Sequence, residues 1–392
     1  MKNTGLFDLV SSLVRIPSPY YHEAAVMEYA AAWLAGRGVT VQRHRYHEEK
    51  ITDFHGENLV AVLEGEESGP TICLNGHLDT VPVCQGWQHD PFAAAVEGDR
   101  LYGLGAVDMK SGCAAQMSAF ARLAGKGIRR GKVFLTLVSD EEGPWGLGCD
   151  FLLSSGLLPE RVDCSISCEP SAGFCGVEDA PVICPGAMGN YVLTAEFFGK
   201  AAHASQPELG VNAAVEAGRF LAAVRQPEKE SMLGKGRFCV LKVQSDGGSC
   251  SVPDRAAVTW QRHLNELEDF DELVREAEGF MRDGGVSCPY TIDVRPYPTA
   301  TTRGYPPYAA APDDPWLLRL CRSVKRVCGQ DARLMPFSSI GDFNYLADRL
   351  HAPCLLLGPA GGNFHSAEEY VSLSSLESVE ESLYDFLADA LC

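Results

Sequence analysis

The chain has 392 residues, 46% of them hydrophobic, enough to bury a large core and to build two domains. Its formal net charge of -19 excludes nucleic acid and anionic membrane surfaces as partners, because tracking a phosphate backbone needs clustered Lys and Arg. No stretch approaches the roughly 18 to 20 apolar residues that span a bilayer.

The opening segment, to about Pro17, reads as a short amphipathic helix. It lacks the apolar run and small-residue cleavage site of a signal peptide, which predicts a cytoplasmic protein. Residues 23–38 form a helical pattern closed by glycine, 58–65 and 71–76 read as strands, 109–127 as a helix, and 132–142 and 161–170 as further strands. This alternation predicts an α/β domain, a mainly parallel sheet with helices on both faces. The middle of the chain differs: 190–205, 237–245 and 255–264 read as half-exposed antiparallel strands, with helices at 210–224 and 270–283. After the Pro-rich stretch 295–308, helix and buried-strand patterns return at 314–329, 340–350, 352–360 and in a last helix from Ser374. The expected organisation is a catalytic domain of residues 1–183 and 299–392, interrupted at 184–298 by an α+β domain with an antiparallel sheet and two helices. The 15 cysteines are odd in number and scattered, without a C-x-x-C pair, so they read as reduced thiols packed as small hydrophobes.

Acids and histidines gather where strands end. His77 and Asp79 follow the strand "TICLNG" and Asp108 follows "RLYGLGAV". Asp140, Glu141 and Glu142 follow "VFLTLVS", Glu169 follows "CSISC", and His365 follows "PCLLLGPAGGNF". In doubly wound sheets ligands bind beyond the carboxyl ends of the strands, so these groups are expected to share one crevice. So many carboxylates repel one another unless a cation offsets them. Imidazoles mixed with carboxylates suit zinc, cobalt or manganese at a catalytic centre, and two imidazoles with three carboxylates exceed what one catalytic zinc takes. Two divalent ions sharing a bridging carboxylate is the better count. "GLGAVD" is half of a dinucleotide fingerprint, but it lacks the third glycine and a ribose-binding acid at the expected distance.

Six motifs, in order, are "GHLDTVP", "GWQHDPFAAAVEGDRLYGLGAVDMKSG", "SDEEGPWGLG", "CEPS", "GKAAHASQPELGVNAA" and "GNFHSAEEYV". With them the chain resembles the dinuclear zinc amidohydrolases and peptidases that include acetylornithine deacetylase, succinyl-diaminopimelate desuccinylase, aminoacylase and glutamate carboxypeptidase. The stretch from Leu233 to Leu264 is similar to a bacterial, selenium-metabolism-linked branch of that family. The resemblance implies that His77 and Glu169 bind one ion, that Glu142 and His365 bind the other, and that Asp108 bridges them. It implies that Asp79 accepts the free N–H of His77, and that Glu141 is the general base, taking a proton from the attacking water and returning it to the leaving nitrogen. It further implies a cis peptide between Asp108 and Met109. The inserted domain would serve as a lid and as the dimerisation surface of a homodimer, presenting His203 to the partner's site.

Two departures from the family pattern stand out, the first a missing local arginine contact and the second bearing on substrate. Leu104 stands where the family has an arginine before the bridging acid. Cys250 and His263 stand where many members hold the substrate carboxylate with Asn and Arg, and Arg262 lies on the opposite strand face. The expected function is hydrolysis of the amide bond of a small N-acyl or carbamoyl amino acid, with a di- or tripeptidase as the alternative. A catalytically silent scaffold and a nicotinamide oxidoreductase are further readings, and the intact carboxylate set weighs against the first of these.

Overall fold

In the computed structural model, which describes residues 4–248 and 250–392, the chain forms two compact units. One comprises the residues up to Ala187 together with Tyr308–Cys392; the other is Met188–Pro307.

The larger unit is built on a sheet that, among the described residues, has six strands. Their order is Val41–Glu48, Phe54–Glu64, Arg130–Val138, Glu67–His77, Cys164–Ser167 and Cys354–Leu356. The last four run parallel to one another, and the first two form an antiparallel hairpin whose second strand pairs antiparallel with Arg130–Val138. The sheet is thus mainly parallel, as the alternation predicts. Parallel strands buried on both faces need apolar residues at consecutive positions. Ile72, Leu74, Val133, Leu135 and Ile166 join one core with the helices Ser111–Lys126, Pro315–Cys328 and Leu373–Leu391. The alternate residues Cys73 and Asn75 face the other side, where helices Leu147–Ser154 and Asp342–Arg349 pack together. The cysteines are all free thiols, and those on these strands, Cys73, Cys164 and Cys354, are buried.

The expectation that Asp108 leaves a main-sheet strand is corrected. "RLYGLGAV" holds only the short strand Arg100–Tyr102, in a separate small sheet with Ala95–Glu97, Tyr370–Ser372 and Gly361–Gly362. The chain then turns at Gly105, whose φ of 73° is left-handed and whose position would bring a Cβ to 2.5 Å from Thr80 Cγ2. Only glycine meets both conditions without strain. Asp79 likewise lies beyond its strand, which stops at His77.

The smaller unit is an antiparallel sheet in the order Arg237–Ser245, Arg255–Leu264, Gly189–Phe198, Tyr290–Val294. Its helices Ala213–Ala223 and Phe270–Asp283 cover one face, and Phe220, Phe238, Trp260 and Phe280 interlock beneath them. Strand Arg255–Leu264 alternates strictly between buried and less buried residues, as one covered sheet face requires. No helix among the described residues is long and apolar enough to cross a membrane.

Candidate active site

Burial decides the chemistry at the carboxyl end of the central sheet. His77 ends its strand with 1% of its surface exposed. Its Nε2 has no hydrogen-bond partner and faces three carboxylates, Asp108 at 3.5 Å, Glu169 at 3.7 Å and Glu141 at 3.8 Å. His365, on the 357–369 segment, points Nε2 at Glu142 across 3.0 Å and at Asp108 across 3.6 Å. Asp108 therefore divides its carboxylate, with Oδ1 toward His77 and Oδ2 toward His365.

The other ring nitrogen of His77 departs in detail from expectation. Nδ1 lies 3.1 Å from the backbone carbonyl of Asp79 and 3.5 Å from its Oδ1, so the backbone oxygen is the nearer acceptor. Asp79 uses Oδ2 elsewhere, accepting the backbone N–H of Glu142 at 2.8 Å. One buried carboxylate thus ties the end of the His77 strand to the loop that carries Glu141 and Glu142.

The loop bearing Asp108 is held from two sides. Glu369 accepts the backbone N–H groups of Gly105, Val107 and Asp108 at 2.8, 2.9 and 3.1 Å. Lys110 Nζ donates to the carbonyls of Leu13 and Ile16 at 3.0 and 2.8 Å. The peptide between Asp108 and Met109 is cis. At Gly358 a Cβ would meet the Glu169 carbonyl at 1.9 Å, so that close approach requires glycine. Leu104 is buried in the core and offers no polar contact in place of an arginine.

The electrostatics follow from packing acids together out of water. Burial pushes Glu141 and Glu169 well above the usual carboxylate range and raises Glu142. Burial opposes charging of His77, but Glu141, Asp108 and Asp79 outweigh it and raise its pKa. Asp108 and Glu142 hold His365 up at about 10. Burial works against ionisation of Asp108, yet its two histidine partners keep it below the ordinary value. A divalent cation satisfies all these groups at once: neutral imidazoles and ionised carboxylates are its ligands. Ligand atoms of His77, Asp108 and Glu142 lie within 4.8 Å of one another, and Glu169, 3.7 Å from His77, and His365, 3.0 Å from Glu142, extend the set. The donor set fits a two-ion centre.

His203 belongs to the smaller unit, on the exposed segment after strand Gly189–Phe198, where its Nδ1 lies 2.7 Å from Ser205 Oγ. Arg262 is 2% exposed and pairs with Glu268 and Glu276. His263, on the other strand face, is half-buried beside Arg237 and Asn190, and burial followed by the neighbouring arginines lowers its pKa. Cys250 is exposed. The sequence reading assigned no role to Glu369 or to Glu23. The first stands four residues after His365 in "HSAEEYV", and the second accepts the backbone N–H groups of Tyr21 and Asp140 at 2.9 and 3.0 Å.

The chain matches the family described as Peptidase family M20/M25/M40 over residues 73–389. It is 28% identical over 346 residues to a succinyl-diaminopimelate desuccinylase of Gluconobacter oxydans, covering 86% of this chain and 85% of the relative. Its fold is similar to that of a tripeptidase from Staphylococcus aureus, with TM-score 0.78, 18% identity and coverage of 100% and 99% of the two chains. It is also similar to a Bacillus subtilis protein described as a dinuclear metal binding peptidase, with TM-score 0.70, 16% identity and coverage of 99% and 98%. With the ordered motifs, the crevice of acids and imidazoles and a family match over most of its length, the chain belongs to peptidase family M20/M25/M40 and is a metal-dependent hydrolase of C–N bonds.

Proposed function

We propose that the protein cleaves the amide bond of a small N-acyl or carbamoyl amino acid, using two divalent ions and Glu141 as general base. The observation that carries this reading is the split carboxylate of Asp108, one oxygen toward His77 and one toward His365. His77 and Glu169 would hold one ion, Glu142 and His365 the other, and Asp108 both; zinc is the first choice, cobalt and manganese the alternates. Bound there, two divalent ions polarise the amide carbonyl and make a water acidic enough to attack at neutral pH. The chain's own groups do the rest. Asp79 sets the direction of the His77 ring and the height of the 140–142 loop together. Glu141, buried beside His77, takes the proton of the attacking water and delivers it to the departing nitrogen. The smaller unit acts as lid and dimerisation domain of a homodimer, and its His203 stabilises the oxyanion in the partner's site.

The desuccinylase relative favours an N-acyl substrate. The tripeptidase fold neighbour keeps a di- or tripeptide as the second reading. The test is turnover of N-acyl amino acids, carbamoyl amino acids and dipeptides by the protein loaded with zinc, cobalt or manganese. Hydrolysis of acylated or carbamoylated amino acids above dipeptides is the expected result. Preference for dipeptides selects the second reading, and no turnover of any class with metal bound overturns both.

A further inference from the structure

A second cluster of metal-ligating side chains stands on the hairpin at the edge of the central sheet, made of residues that the hydrolytic centre does not use. His47 and His55 are directly opposite one another in the antiparallel register of Val41–Glu48 and Phe54–Glu64. Their rings stack with centroids 3.7 Å apart and planes 11° from parallel. Asp53, at the turn between them, brings Oδ1 to 2.7 Å from His47 Nε2. On the other side of the ring, His47 Nδ1 lies 3.4 Å from Glu49 Oε1. One ligand atom from each of His47, Asp53 and His55 lies within 4.8 Å of the others.

The hairpin holds these groups in place by a separate device. Glu48, buried, accepts the backbone N–H of Lys50 at 2.7 Å, of Ile51 at 3.1 Å and of Thr52 at 2.6 Å, together with the Thr52 hydroxyl at 2.7 Å. The turn is thereby closed on its own carboxylate. Asp53 then leaves it with φ of 52°, a left-handed conformation that aspartate tolerates better than most residues. Cross-strand register places the two imidazoles opposite one another, and the capped turn places Asp53 beside them.

We infer that His47, Asp53 and His55 form a third metal site, for an exchangeable borderline divalent ion such as Zn2+. Two imidazoles and one carboxylate are the donor set such an ion prefers, whereas Mg2+ and Ca2+ demand oxygen ligands. An ion held between the two imidazoles takes a nitrogen lone pair from each, the rings turning out of their stack to meet it. Glu49, 3.4 Å from Nδ1 of His47, places a second carboxylate beside the same ring. Water fills the remaining position, since the cluster opens to solvent.

The experiment is equilibrium dialysis of the full chain against Zn2+ at micromolar free metal, comparing wild type with His55→Ala. The quantity read is the difference between the two proteins, which stands whether or not the hydrolytic centre binds as proposed. Wild type should hold one more zinc per chain than His55→Ala, with hydrolysis unchanged between them. Equal zinc in both, or a difference seen only at millimolar metal, overturns the assignment. A second measurement needs no variant: Zn2+ should shield His47 and His55 of the wild type from diethyl pyrocarbonate, read by peptide mass, and Mg2+ should not. Unchanged reactivity with zinc, or equal shielding by magnesium, also overturns it.

Discussion

Glu369 accepts the backbone N–H of Asp108 with the same oxygen that takes the N–H of Val107, while its second oxygen takes that of Gly105. The residue that faces both histidines of the centre is thus aimed by a carboxylate that itself contacts backbone alone among these bonds. Glu369→Gln retains one oxygen and replaces the other by an NH2 group, which meets a donor with a donor. The expected loss is about 1–3 kcal/mol of stability, the cost of an unpaired buried group. Thermal unfolding checks this, and chelator titration should show faster metal loss. A variant that releases metal no faster than wild type would remove Glu369 from the support of Asp108.

Asp108→Ala should empty both metal positions together, because its two oxygens face different histidines. Glu169→Ala, whose carboxylate is near His77, should weaken one position more than the other. Elemental analysis of the dialysed proteins distinguishes the outcomes. Retention of both ions by Asp108→Ala contradicts the bridge.

Glu141→Gln should keep its metal while turnover falls about 100-fold or more, the usual worth of a general acid–base. His203→Ala should also be impaired. If His203 acts across a dimer, mixing the two inactive variants and allowing subunits to exchange creates sites that carry neither lesion. Activity should then return toward half that of wild type in each mixed dimer. Confirmed exchange without recovery rules out action across the dimer.

Burial and the nearby Asp79 carboxylate push Glu23 up to about 8, from an ordinary value of 4.5. An acid whose folded pKa is raised holds its proton more tightly in the native state. Its contribution to stability is therefore full below about 4.5 and is lost as pH rises through about 8. Glu23→Gln, which cannot ionise, should gain on wild type by up to about 5 kcal/mol as pH is raised across that window. Denaturant titrations at several pH values measure the difference. A constant gap between the two proteins would show that Glu23 does not titrate there.

The two central strands of the smaller unit, Gly189–Phe198 and Arg255–Leu264, were legible because one covered face imposes alternation, and Arg255–Leu264 begins and ends where the sequence pattern does. Two edge strands were not. Val41–Glu48 reads "VQRHRYHE" and Tyr290–Val294 reads "YTIDV", and half-exposed edges carry too few apolar residues to announce a pairing that backbone hydrogen bonds supply. The same physics explains the site. His77, Asp108, Glu142, Glu169 and His365 could be collected from sequence because acids and imidazoles among apolar runs are chemically conspicuous, although Asp108 leaves no main-sheet strand. Glu369 could not be given a role, since its partners are backbone N–H groups, which every sequence has. Asp79 was half legible: the resemblance implies its place beside His77, but the backbone carbonyl as nearer acceptor and the bond to the Glu142 backbone depend on how two loops meet.

The buried cysteines give the native state a chemical clock. Burial raises the thiols of Cys73 and Cys168 to about 12 and those of Cys149, Cys164 and Cys354 well above the ordinary range, so each is closed to reagents that attack the thiolate. Because these sulfurs lie in the interior of the larger unit, alkylation at any one of them reports the opening of the layer around it. Peptide-resolved labelling rates would thus map, thiol by thiol, which parts of the interior open separately and which give way only when the whole unit unfolds.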